Sequence, residues 1–238
     1  MHPDQLDRRE VDVEHSDRHR ESCIACMPEE LGQCFHQIHL RVVWMQRVWT
    51  QHRQLFPLDN RHAPLLQRTA PEFFQIVFDE LWDATLLWIA KLLDKPEGHN
   101  KEMGRVGNLT LAALIGICPE ESRDPLWKDQ LEALKAKAAA ILAHRDSRIG
   151  HLDRGQALGR DLTRCQPLHV QEVEVVLEGI YGFMNDVAAH FGMERQPYGQ
   201  MQFWGSAEDL LKRLERAEED WWTLREAGDS VSSNEKGA

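Results

Sequence analysis

The sequence predicts an all-α protein, and three observations support this prediction. Apolar residues recur every three to four positions through most of the chain, as they do along one face of a helix. Sustained alternation of apolar and polar residues, which would indicate strands, is scarce. Proline and glycine stand where helices are expected to begin and end, as at Pro71 and Gly192.

Six helical elements are predicted in chain order. Asn108 or Thr110 is expected to cap the short third element, because side-chain oxygens at this position accept hydrogen bonds from the first turn. Glycine, asparagine and charged residues predict a loop from Glu97 to Gly107. The predicted helices run from Pro28 to Phe56, from Pro71 to just before Pro96, from Asn108 to Ile115, from Pro125 to Leu152, from His169 to Phe191, and onward from Ser206.

Apolar stripes along these helices predict which side chains are buried. The expected stripes are Leu40, Val43, Trp44 and Val48 in the first helix, Leu131, Leu134, Ala138, Ile141, Leu142, Ile149 and Leu152 in the fourth, and Leu210, Leu214, Ala217 and Trp221 in the last.

Composition divides the chain into one domain and two tails. The start of the chain mixes charged residues and histidines with few apolar side chains, so burial cannot offset the entropy lost on ordering. We therefore expect a mobile N-terminal tail over residues 1–27 and a disordered C-terminal tail over residues 228–238. Residues 28–227 are expected to form a single helical domain, because 238 residues that are 42% hydrophobic suffice for one substantial core.

Cysteine usage and hydropathy predict a cytoplasmic protein that does not enter a membrane. Five scattered cysteines follow no secretory leader, which argues against a disulfide framework. The longest apolar run, Phe73 to Leu93, is interrupted by four charged residues that would be costly in a bilayer. This run is expected to be a core helix.

The charge distribution restricts where a nucleic acid could bind. A formal net charge of −11 repels phosphate backbones over most of the surface. Residues 144–164 contain five arginines and only three aspartates, so this segment has the opposite sign. Any polyanion site is therefore expected to be local.

Arg145 is the residue that the helical pattern explains least. A rotation of about 100° per residue places it inside an apolar stripe, between Ile141 and Ile149. A guanidinium there is expected to face a cleft, a carboxylate or an interface, since burying it alone is costly. His151 lies about 120° around the same helix, and Gly150 offers a bend that would bring the two side chains together.

Similar spacing of arginine and histidine recurs elsewhere, as from Arg47 to His52 and from Arg164 to His169. Spacing alone is thus weak support for a site. The pair of Arg145 and His151 differs from these in its context. An apolar helix precedes it, Arg145 is out of place on an apolar face, and the polar Asp146 follows the arginine directly.

With these features the chain resembles the HEPN superfamily, in the AbiU-like branch associated with bacterial abortive infection. The resemblance spans about residues 30–215, and no single block is as specific as their shared order and spacing. It is carried by ELWDATLLWIAKLLDK (80–95), NLTLAAL (108–114), HRDSRIGHLD (144–153), the helix up to Phe191, and GSAEDLLKRL (205–214).

The resemblance implies an antiparallel helical bundle, with an extra C-terminal helix, that forms a homodimer. It implies metal-independent RNA cleavage by Arg145 and His151, with Asp146 as the polar residue beside the arginine, in a cleft shared by two subunits. The basic residues around the pair, His144, Arg148 and Arg154, are the expected substrate-binding residues. The implied role is that of a toxin or anti-phage effector, with an antitoxin or nucleotidyltransferase as a possible partner.

Two positions depart from the family pattern and keep another function open. Asp146 stands where many relatives have asparagine, and Gly150 stands where they have alanine. A carboxylate beside a phosphate site would weaken substrate binding or mark an inactive member. The alternative is a non-catalytic helical module that binds a nucleotide, RNA or a partner protein.

No metal ion and no cofactor is expected. Cys23, Cys26, Cys34 and His36 offer four possible zinc ligands, but the loop between them is short, and cysteines in such positions are more often packing residues. The acids Asp79, Glu80 and Asp83 lack the Glu-x-x-His pairs of di-iron bundles.

Overall fold

The computed structural model describes residues 16–100, 104–145 and 167–235, and nine α-helices account for most of them. The prediction of an all-α helical bundle is therefore confirmed. In chain order the helices are α1 (residues 16–26), α2 (Glu29–Leu55), α3 (Ala63–Thr69), α4 (Pro71–Leu93), α5 (Leu111–Ile117), α6 (Leu126–Lys137), α7 (Ala139–His144), α8 (Val170–His190) and α9 (Ala207–Glu235). Two single-turn 3-10 helices lie at Glu120–Ser122 and Tyr198–Gln200.

A two-stranded hairpin takes the place of the predicted loop between α4 and α5. Strand β1 (Glu97–Asn100) pairs antiparallel with β2 (Gly104–Gly107), with Glu97 opposite Gly107. Four-residue strands carry too short a pattern to be separated from a loop by alternation alone. Just beyond β2, Thr110 caps α5 by accepting a hydrogen bond from the Ala113 amide at 3.2 Å, which confirms one of the two predicted caps.

The fourth predicted helix, Pro125 to Leu152, is divided in the structure. Its backbone leaves the helical region at Ala138 (φ −85°, ψ 1°), which separates α6 from α7. Hydrogen bonds still reach across the break, from the Ala138 amide to Leu134 O and from the Leu142 amide to Ala138 O. No proline or glycine marks this position, so the sequence pattern gave no sign of it.

Part of each predicted tail is helical. Residues 16–26 form α1, and Cys23 and Met27 are buried because they follow each other at helical spacing toward the core. At the other end, α9 continues to Glu235. The single domain over residues 28–227 stays a prediction, and the described residues divide into two compact units.

The first unit comprises α1, the chain up to Gln46, and Ala84–Met201. Within it α6 and α8 pack antiparallel. The Trp127 ring lies 5.0 Å from the ring of His190, and two turns further along α6 the Leu134 side chain lies against Gly179. Of the predicted stripe, Leu131, Leu134, Ala138 and Ile141 are buried and Leu142 is partly buried, whereas Ile149 and Leu152 lie outside the described residues.

The second unit comprises Arg47–Asp83 and the chain from Gln202 onward. Its buried core consists of Leu55, Leu65, Leu66, Phe74, Ala207 and Leu211. The first turn of α9 is capped by side chains of α2: the Ala207 amide donates to Gln51 Oε1 at 2.6 Å, and the Glu208 amide donates to Gln54 Oε1 at 3.3 Å.

Two of the predicted apolar stripes were wrong in part. In α9 the buried residues are Ala207 and Leu211, whereas Leu210 and Trp221 are 41% and 53% exposed. In α2 Val48 is buried as expected, but Trp44 is 51% exposed. The buried face of α2 in the first unit consists of Leu31, Phe35, Ile38, Val42 and Met45.

Over the described part of the chain, no helix combines the length and apolar character that a membrane span requires.

Candidate functional site

The predicted catalytic arginine lies at the end of α7. Arg145 keeps a helical backbone (φ −56°, ψ −48°), and its amide donates to Ile141 O and Leu142 O. Its side chain is half-buried, with the Nε atom fully covered. Burial of Ile141 at 1% exposure on the preceding turn explains this, since residues four apart share a helix face.

His144, a predicted substrate-binding residue, is 9% exposed. Its Nδ1 atom is covered by protein. Low exposure favours a supporting position at the end of α7 over direct contact with a phosphate.

Four predicted site residues lie outside the described ranges. Asp146 and His151 of the catalytic set, and Arg148 and Arg154 of the substrate-binding set, fall between residues 145 and 167. How Arg145 meets His151 therefore stays a prediction.

A cluster of histidines and one cysteine, which we call the His–Cys cluster, lies between α1 and α2 in the first unit. It consists of His19, Cys23 and His36, one ligand atom from each lying within 4.8 Å of the others. The Nδ1 atoms of His19 and His36 are 3.0 Å apart, and Cys23 Sγ lies 3.5 Å from His19 Nδ1. Cys23 and His36 are 0% and 3% exposed.

Two further aromatic residues hold this cluster. The His39 ring stacks on the His19 ring, with centroids 3.8 Å apart and an angle of 19° between planes. His39 Nδ1 in turn lies 2.8 Å from the hydroxyl of Tyr198, which is 1% exposed.

Burial sets the protonation of these groups. Desolvation, and secondarily the charge on His36, lowers the pKa of His19 to about 4, and desolvation also lowers the pKa of His36. Desolvation raises the pKa of the Cys23 thiol to about 12. The two imidazoles are therefore neutral at pH 7.

The structure brings together only part of the Cys/His set noted in the sequence. Cys23 and His36 lie in the His–Cys cluster, whereas Cys26 is exposed and Cys34 is partly buried, and neither belongs to the group. His19 was missed because it stands in the stretch predicted to be a tail. Its spacing of four from Cys23 is the signal that could have found it, since i and i+4 share a helix face.

A second buried histidine lies in the second unit, enclosed by aromatic rings. His52 is 1% exposed, and the Trp49 ring stacks on it at 5.3 Å with an angle of 7°. The rings of Phe56, Phe78 and Trp82 lie 5.0 to 5.5 Å away. Among the described residues neither ring nitrogen of His52 finds a hydrogen-bond partner. Burial, with a smaller contribution from Arg53, lowers the pKa of His52 to about 4.

A groove of about 550 Å³ also lies in the second unit, between α3 and α9. Arg68 and Glu218 form a bidentate ion pair across it, with N···O distances of 2.5 and 2.9 Å. This pairing raises the pKa of Arg68 and lowers that of Glu218. Trp221 lines the groove at 53% exposure, and the two predicted site residues that the structure describes, His144 and Arg145, do not.

The helices place the chain in the class of all-α bundles, and comparison with known families identifies it further. The model of the HEPN AbiU2 family matches residues 28–198. Because this is well over half of the chain, the protein belongs to the AbiU2 family of the HEPN superfamily, and it is an abortive-infection-related HEPN protein. Comparisons with curated proteins and with solved structures gave no match.

Proposed function

We propose that the protein is a metal-independent endoribonuclease that acts as a toxin or anti-phage abortive-infection effector. The observation that carries this proposal is that the family match over residues 28–198 includes the whole Arg145-x5-His151 motif. The half-buried position of Arg145 at the end of an apolar helix agrees with it.

The chemistry needs only side chains. An imidazole has an unperturbed pKa of about 6.5, so the His151 side chain can accept the proton of the ribose 2′-hydroxyl and return a proton to the leaving 5′-oxygen. The 2′-oxygen attacks the adjacent phosphorus and the bond to the 5′-oxygen breaks. Arg145 stabilises the charge that develops on the phosphoryl oxygens. The products are a 2′,3′-cyclic phosphate and a free 5′-hydroxyl.

RNA binding is attributed to the basic segment that begins at His144. Arg148 and Arg154 supply contacts to phosphates, and Asp146 orients the neighbouring arginine. Since the remainder of the chain is strongly acidic, RNA is guided to this segment alone. A homodimer would place two such segments in one cleft. An antitoxin or a nucleotidyltransferase is the expected partner that restrains the activity, and a cytoplasmic location is expected.

The rival function is a non-catalytic module that binds RNA, a nucleotide or a partner protein through the same segment. The departures at Asp146 and Gly150 are the features that favour it.

The test compares RNA cleavage by the wild type, His151→Ala and Arg145→Ala, with chelator present. His62→Ala serves as the control, because His62 is a partly exposed histidine of the other unit. We expect cleavage and growth arrest with the wild type and the control, and neither with the two motif variants, while circular dichroism and the dimer remain unchanged. A wild type that binds RNA, cuts none and is harmless on expression would establish the binding module instead.

A further inference from the structure

The His–Cys cluster has the geometry of a metal site. His19 and Cys23 are four residues apart on α1, so both side chains point to the same side of that helix. His36 approaches them from the first half of α2. Two sequence segments separated by a turn therefore supply three nitrogen and sulfur ligands at one point.

The distances suit a single tetrahedral ion. Zinc–nitrogen bonds of about 2.0 to 2.1 Å and zinc–sulfur bonds of about 2.3 Å place two nitrogens about 3.3 Å apart and a nitrogen and a sulfur about 3.6 Å apart. The corresponding separations here are 3.0 Å between the two histidine Nδ1 atoms and 3.5 Å from Cys23 Sγ to His19 Nδ1. For these two separations, shifts of roughly a few tenths of an ångström suffice, and the ligand atoms of the third pair, Cys23 and His36, lie within 4.8 Å of each other.

The burial and the chemistry of the three side chains favour a bound metal ion. Cys23 and His36 are buried. A thiol with two imidazoles binds zinc in preference to magnesium or calcium, which favour oxygen ligands. His39 stacks on His19, and Tyr198 holds His39 in turn, so His19 is kept in position by these two neighbouring side chains.

We propose that His19, Cys23 and His36 bind one zinc ion that fastens α1 to α2, with the fourth position left to water. The ion stabilises the N-terminal part of the first unit. It takes no part in RNA cleavage, so this proposal stands or falls separately from the nuclease.

Zinc content of untagged, full-length protein is the primary test. After equilibration with zinc and removal of free metal, the wild type should retain about one zinc per chain. His19→Ala, Cys23→Ser and His36→Ala should each lower zinc affinity at least roughly tenfold in competition with a chromophoric chelator. Cys26→Ser and Cys34→Ser are the matched controls, because both cysteines stand on the same two helices but outside the cluster. Both controls should bind zinc as the wild type does.

Cobalt replaces zinc in a second measurement, whose first readout needs only the wild type. The cobalt form of the wild type should show the absorption of a cobalt–thiolate bond, which Cys23→Ser should abolish and Cys26→Ser should keep. Zinc should also slow tryptic cleavage after the exposed Arg18 and Arg20 of α1 in the wild type. The proposal is overturned if the wild type retains no more zinc than the three ligand variants, or if Cys26→Ser or Cys34→Ser loses it equally.

Discussion

His39 Nδ1 and the hydroxyl of Tyr198 lie 2.8 Å apart in the buried interior of the first unit, although 159 residues separate them in sequence. This contact joins α2 to the 3-10 helix that follows α8. It also fixes the ring that stacks on His19. Removing either group would leave the other as a buried polar atom without this partner, and such an atom is costly in a low-dielectric interior.

Tyr198→Phe should therefore lower the free energy of unfolding by about 1 to 3 kcal/mol, the cost of removing one partner of a buried hydrogen bond. Urea titration monitored by tryptophan fluorescence measures this change. The double variant His39→Phe with Tyr198→Phe is the control, since replacing both partners by apolar rings of similar shape should recover much of the loss. A double variant that loses the sum of the two single effects would show that the two groups act independently.

His52→Phe should stabilise the second unit at pH 8. The imidazole there is enclosed by four aromatic rings, and within the described residues neither of its buried nitrogens has a hydrogen-bond partner. An apolar ring therefore removes a desolvation cost of about 1 to 3 kcal/mol. Thermal and urea unfolding should both show the gain. His62→Phe, at a partly exposed position of the same unit, should change stability by less than about 0.5 kcal/mol.

The same residue predicts a pH dependence whose sign is fixed by its lowered pKa. Because the pKa of His52 is about 4 in the folded protein and about 6.5 when unfolded, the unfolded state binds the extra proton between these values. Above pH 6.5 this proton takes nothing from the free energy of unfolding of the wild type. As the pH falls from 6.5 toward 4, that free energy decreases by about 1.4 kcal/mol per pH unit. The difference in unfolding free energy between His52→Phe and the wild type should widen over this window. Parallel pH profiles for the two proteins would contradict the assigned burial.

Helix boundaries were largely readable from the sequence, because punctuating residues set them locally. Pro71 begins α4, Thr110 caps α5, and Gly192 adopts a positive φ of 72° directly after α8. The face that each helix buries was less readable. Leu210 and Leu211 are adjacent leucines in α9, and only packing against residues of α2 and α3 selects Leu211.

The candidate sites also differ in how far a local sequence pattern could predict them. Arg145 was identifiable because helical periodicity placed a charge on an apolar face, which is a local pattern. The His–Cys cluster was identifiable only in part. Cys23 and His36 belong to the Cys/His set noted in the sequence, whereas His19 and His36 are 17 residues apart and meet only when α1 packs on α2. Composition also assigned His19 to a tail, because charged residues outnumber apolar ones around it.

Gly179 leaves little room for a side chain at its position in α8. A Cβ added there would lie 2.6 Å from Leu134 Cδ1, so Gly179→Ala must displace that buried side-chain methyl and should cost about 1 kcal/mol of stability. Gly182 stands three residues further along the same helix, and apart from its own helix no described residue has an atom within 4 Å of such a Cβ. Gly182→Ala should instead stabilise the protein by about 0.5 to 1 kcal/mol, because alanine is the better helix former. Two variants that shift the urea midpoint in the same direction would contradict the close packing of α6 on α8.

Arg145→Lys should separate the charge of the proposed catalytic arginine from its shape. A lysine keeps one positive charge but lacks the planar fork that donates two parallel hydrogen bonds to a phosphate. If the guanidinium stabilises the transition state, the single-turnover rate of RNA cleavage should fall by about 100-fold or more, while affinity for uncleaved RNA, measured in a His151→Ala background, changes far less. Arg213→Lys, at an exposed position of α9, is the control and should cleave at the wild-type rate. Equal rates for Arg145→Lys and the wild type would mean that this side chain contributes only its charge, and losses confined to RNA affinity would make it a binding residue.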